Sequence, residues 1–166
     1  MNLTPEHLHI ALNHLPIVGI PIGLLILWVG TVFKTPPVQL TALGLIAAMA
    51  LATAGVMYTG EEAEERFEKG LIQPALDGEG EGWLHEHEEA AEGLSWAIYL
   101  SGGLAVVLAV VLTRWPRFAL PSVLVFSAWM IFVIVGTIRV AEAGGKIRHP
   151  EFRTGKALSP GTGQVE

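Results

Sequence analysis

Hydrophobic and polar positions divide this chain into four long apolar runs, joined by two short polar turns and one long polar region. The runs extend from about Ile10 to Phe33, Val38 to Thr59, Leu94 to Thr113 and Phe118 to Ala141. Each has the length an α-helix needs to cross the hydrocarbon core of a bilayer. The pattern predicts an all-α polytopic membrane protein, with four transmembrane helices in an up-down bundle over residues 1–151 and a polar C-terminal tail over 152–166.

Within the first run, Pro16 and Pro21 remove backbone donors and crowd the carbonyls of Leu12 and Ile17. Such a helix is expected to kink and to pack inside protein. Gly19 and Gly23 give it a small-residue face for close helix approach. Thr35-Pro36-Pro37 reads as a tight turn. The polar region 60–93 reads as an acidic loop, carrying a short amphipathic helix over Glu61–Lys69 and a flexible turn over Asp77–Gly82. Residues 156–166 read as disordered.

An even number of crossings returns both termini to one side. The same side receives the end of run two, the start of run three and the end of run four. All six histidines then gather on one face: His7, His9, His14, His85, His87 and His149. The opposite face carries only two short turns with Lys34, Arg114 and Arg117. Basic residues favour the cytoplasmic side. The two turns therefore place the histidine face and both termini on the periplasmic side of a bacterial inner membrane. The histidine face has more basic residues in total, which pulls the other way.

Composition sharpens this picture in three places. Only 16% of residues are charged, against about 25% in soluble domains, so the lipid bilayer is the first partner. There is no cysteine, which excludes disulfides, thiolate metal sites and covalently attached haem. The net charge of −6 argues against nucleic acid. Eleven Glu and one Asp in 60–93 face only Arg66 and Lys69. The basic tail around Lys146–Lys156 is a natural contact for them.

Ionisable groups at the mouth of a membrane bundle are functional suspects. One reading is a b-type haem, which needs neutral imidazoles from facing helices. His14 with His85 or His87 would supply axial ligands, His149 is a further candidate, and Arg148 and Arg139 could meet the propionates. A second reading is a transition-metal site for iron, copper or zinc, built from imidazole and carboxylate. Glu6-x-x-His9 has the spacing used in di-iron bundles, and Glu61, Glu62, Glu88 and Glu89 are in range. On a regular helix His9 and His14 point about 140° apart, which keeps them from sharing one small ligand unless the helix starts late or is distorted. The plain alternative is that each interfacial histidine is only a polar cap. No nucleophile–base pair or phosphate loop favours an enzyme.

His9-Ile-Ala-Leu-Asn-His14-Leu-Pro16-Ile resembles the opening of a bacterial family of four-helix membrane proteins of unknown function. Gly144-Gly145-Lys146-Ile147-Arg148-His149 resembles the end of that family's fourth helix. Thr59-Gly60-Glu61 and His87-Glu88 resemble its second-helix end and third-helix start. The resemblance covers most of residues 7–151. It implies that the family motif falls on His9, His14, His87 and His149, with His7 and His85 outside it. Some members are fused to cytochrome c-like modules, which implies redox chemistry.

The expectation is thus a small membrane subunit serving electron transfer, with haem b or a metal ion at one face. The expected cofactor residues are His9, His14, His87, His149 and Arg148, and the metal set replaces Arg148 with Glu88. A larger membrane complex or a periplasmic redox protein is the expected partner. The rival is a cofactor-free structural subunit packed on such a complex.

Overall fold

The computed structural model describes residues 4–154, so the reading of 156–166 lies outside the described residues. Four long helices follow one another: α1 (Pro5–Val32), α2 (Pro36–Glu68), α3 (Gly78–Arg114) and α4 (Ala119–Arg148). A 3-10 turn at Pro116–Phe118 joins α3 to α4, and a short α5 (Pro150–Thr154) follows. All four long helices are long and apolar enough to cross a membrane. The protein is a multi-pass membrane protein with an all-α four-helix fold. Consecutive helices pack on each other, and α1 meets α4 more sparingly.

Local chemistry sets the helix ends. Pro5 and Pro36 begin α1 and α2, where a missing backbone donor costs nothing. Between them Lys34 adopts a left-handed conformation with φ 53°, and Thr35 N donates to Gly30 O at 2.8 Å. Asp77 caps α3 by accepting from Gly80 N at 2.6 Å, as short oxygen-bearing side chains do at helix starts. Gly78–Gly82, expected as a flexible turn, is therefore the first turn of α3.

The polar region differs from its expected loop. α2 continues to Glu68 and α3 begins at Gly78, so only 69–77 is non-helical. Glu, Ala and Lys are good helix formers, and an existing apolar helix needs no new nucleus to extend through them. α2 has 33 residues and α3 has 37. At 1.5 Å per residue these are about 50 and 55 Å long, against about 30 Å of hydrocarbon. Their polar ends run on past the apolar stretches as a helical collar around the histidines.

Inside, Ile20 and Leu27 of α1 meet Leu43 and Ile46 of α2, Ala97 and Ala105 of α3, and Val123, Met130 and Val133 of α4 in one core. Small residues let backbones approach. A Cβ on Gly23 would stand 2.7 Å from Ile46, and one on Gly102 the same distance from Ala50. Gly19 is likewise covered by Met49. Outward, Leu25, Leu51, Val107 and Val125 are exposed, the lipid-facing side of the bundle.

Candidate functional site

Two histidines reach into the histidine-bearing end of the bundle from opposite hairpins. His9 of α1 places Nδ1 3.0 Å from the carbonyl oxygen of Val56 on α2. His87 of α3 places Nδ1 2.8 Å from the carbonyl oxygen of Val140 on α4. A carbonyl only accepts, so each ring donates from Nδ1–H, and in the neutral ring Nε2 keeps a lone pair. Neither Nε2 has a hydrogen-bond partner among the described residues. A metal-ligating histidine is typically held in this way by a backbone carbonyl behind it.

The rings lie against glycine. A Cβ on Gly60 would stand 3.1 Å from Cε1 and 3.2 Å from Nδ1 of His9. One on Gly144 would stand 3.0 Å from both the Cε1 and the Nδ1 of His87. The ring centroids are 6.3 Å apart, and their planes are nearly perpendicular at 88°. With metal–nitrogen bonds of about 2 Å, two imidazoles trans on one metal have centroids about 6.3 Å apart, and at a tetrahedral metal about 5 Å. The observed separation would let the two rings hold one metal ion between them.

Both rings line a cavity of about 540 Å³ to which all four long helices contribute, within the usual range for a small-molecule or cofactor pocket. Its deeper wall includes Pro16, Thr53, Ile98 and Thr137, and its outer wall includes Phe67, Ile72, Ile147 and Arg148. Asn13, one helical turn below His9, also lines it, and its buried Oδ1 has no hydrogen-bond partner. A cavity with glycine seats and an orphaned polar atom fits a bound group better than a filled core does.

The other expected residues divide. His14 and Glu88 line the cavity, and His14 Nδ1 donates to Ile10 O at 2.7 Å. Arg148 lines it too, donating to Pro74 O at 2.6 Å and lying over the Phe67 ring. His149 stands outside it, exposed, with Nδ1 2.9 Å from the Glu151 carboxylate. His7 bonds Thr4 Oγ1 at 2.6 Å, and His85 faces Glu89 at 3.4 Å on the exposed side of α3. Glu6, at the cavity edge, is paired with Arg66 at 3.1 Å. Among the described residues no group of three or more His, Asp or Glu side chains is placed to hold a metal ion. Beside Arg148 the collar is acidic. Outside the membrane-spanning stretch, a hydrogen bond with Glu88, then burial and the charges of Glu88, Glu68 and Glu92, push Glu64 up to about 7.

Val56, Val140, Gly60, Gly144 and Asn13 carry none of the usual marks of a ligand site. The one available signal is a Thr-x-x-Val-x-x-x-Gly string that ends the apolar part of both α2 and α4.

No protein-family model matches this chain, and neither a curated protein nor a solved structure matches it.

Proposed function

We propose that this membrane protein binds a b-type haem between His9 and His87 and serves electron transfer at the histidine-bearing face. The observation that carries this reading is the pair of imidazoles whose ring centroids lie 6.3 Å apart, each anchored through Nδ1 to a backbone carbonyl. A bound haem b supplies a one-electron couple whose potential is set by axial ligands and burial. His9 and His87 would hold the haem through their Nε2 atoms, Gly60 and Gly144 leave room for the rings, and Arg148 at the outer wall would meet a propionate. A bare iron, copper or zinc ion would find only two imidazoles at this spacing. The acidic collar suits a basic periplasmic redox protein as electron partner, and Lys34, Arg114 and Arg117 on the short turns support a periplasmic histidine face.

The test is absorption spectroscopy of the full chain in detergent, as purified and after addition of haemin. We expect a Soret band and a reducible low-spin spectrum. His9→Ala and His87→Ala should each abolish that spectrum, while His14→Ala and His149→Ala keep it. A colourless protein that takes up no haemin, or a spectrum indifferent to His9 and His87, would leave the cofactor-free structural subunit as the reading.

A further inference from the structure

We infer that the bundle is two tandem copies of one helical hairpin, α1–α2 and α3–α4, and that Gly60 and Gly144 are equivalent positioning residues. They set the gap between the two imidazoles at the width of one six-coordinate metal centre. The inference deepens the haem reading and rests on it for the nature of the ligand.

The repeat is visible residue by residue. One offset carries His7 and His9 of α1 onto His85 and His87 of α3. The same offset carries buried Ile20, Gly23 and Leu27 onto buried Ile98, Ser101 and Ala105. A second offset carries Thr53, Val56 and Gly60 of α2 onto Thr137, Val140 and Gly144 of α4. It also carries buried Gln39, Ala42, Leu43 and Ile46 onto buried Val123, Phe126, Ser127 and Met130. The offsets differ mainly because α3 runs four residues further past the matched positions than α1 does, with one residue more in the turn and one more at the start of α4. Side chains have diverged, yet the buried register is kept.

The contacts repeat as well. In each hairpin the first helix sends a histidine to the carbonyl of a valine on the second, and the ring rests on the glycine four residues later. The equivalent groups, His9 and His87, therefore come together between the hairpins with ring centroids 6.3 Å apart. A ligand between them would be offered the same side chain by each hairpin. This suits a planar macrocycle whose metal keeps two opposite positions open.

The glycines decide the gap. A methyl at either seat would press on the ring from behind, drive it toward its partner and strain the Nδ1–H bond that fixes its tautomer. Gly55 and Gly103, by contrast, face open space, so alanine there supplies controls in α2 and α3. Alanine is favoured over glycine inside a helix, so a change confined to the seats reflects the ring and not helix formation.

The experiment compares wild type, Gly60→Ala, Gly144→Ala, Gly55→Ala and Gly103→Ala as full chains. It reads haemin affinity, absorption and electron paramagnetic resonance, and also histidine ¹⁵N resonances in the unloaded protein. We expect the two controls to match wild type. Each seat variant should lose the low-spin six-coordinate signature, bind haemin about tenfold more weakly or worse, as second-shell changes do, and lose one Nδ1–H tautomer when unloaded. Seat variants with wild-type spectra and tautomers, in a protein that does bind haemin, would overturn the inference and leave the haem reading standing. A wild type that takes no haemin, yet shows both Nδ1–H tautomers disturbed one by one in the seat variants, would overturn the haem reading and uphold the seats.

Discussion

Arg153 Nη1 lies 2.8 Å from one carboxylate oxygen of Asp77 and 2.7 Å from the other. That contact ties α5 to the N-cap of α3. The same guanidinium donates from Nε to Lys146 O and from Nη2 to Ile147 O, both at 2.7 Å, satisfying carbonyls that the end of α4 leaves open. Its side chain is only 5% exposed. A single arginine therefore closes the outer end of the bundle beside the cavity wall at Ile147 and Arg148.

The pin has a defined response to acid. The hydrogen bond from Arg153, then the Gly80 amide, holds the Asp77 carboxyl below its ordinary value. A carboxyl lowered by folding contributes stability above its unfolded pKa and loses it as pH falls through the folded one. The pin should thus persist through the ordinary aspartate range and open only below it. Asp77→Asn should open it at neutral pH. Hydrogen exchange of the amides in 148–154 reads both effects, and unchanged exchange in Asp77→Asn would show the contact to be dispensable.

The four spans are legible because lipid forces long apolar runs on any helix that crosses it. The gathering of histidines is legible because the number of crossings is even. What stays hidden is choice among the histidines. His9 and His14 look alike in the sequence, and His14 lies deeper in the apolar run. His9 is the one that opposes His87, because its ring reaches a backbone carbonyl on α2, and carbonyls carry no residue-specific mark. The paired His-x-His strings at His7–His9 and His85–His87 are visible by eye. The repeat they announce shows only when burial is known, since Leu27 has become Ala105 and Gly23 has become Ser101.

Glu64 gives the collar an opposite pH response. Glu64 is raised to about 7 by its hydrogen bond with Glu88, with burial and neighbouring carboxylates adding to it. A carboxyl raised by folding stabilises in its protonated form. That contribution is present below the unfolded value near 4.5 and is lost as pH rises through about 7. Glu64→Gln should therefore raise thermal stability in detergent at alkaline pH, with the difference closing in mild acid. Parallel melting curves at all pH values would show that the two carboxyls do not share a proton.

Within the core, Trp129 Nε1–H donates to Ser101 Oγ at 2.9 Å, and Ser101 Oγ–H donates to Ala97 O at 2.8 Å. Ser101 is fully buried, so removing its hydroxyl strands the indole N–H in an apolar place. Ser101→Ala should cost about 0.5–2 kcal/mol, the range for interhelical polar contacts in membranes. Trp129→Phe alone should cost less in hydrogen bonding, since the Ala97 bond survives. Stability measured for both single variants and the double variant isolates the pair, and a coupling energy of zero would remove it from the account.

Asn13 separates binding from folding. Its Oδ1 is buried without a partner and faces the cavity. A buried acceptor left unpaired costs about 1–3 kcal/mol, whereas an apolar replacement of similar shape is neutral or stabilising. If Asn13 serves the bound group, Asn13→Leu should leave the unloaded protein at least as stable as wild type and weaken haemin binding several-fold. Turned about its last bond, the same amide offers an N–H, so it can meet either a donor or a carboxylate edge. Titration with haemin, paired with chemical unfolding of the unloaded protein, checks both halves. A destabilised variant with unchanged haemin affinity would make Asn13 a packing residue, and the cavity floor would then be silent in recognition.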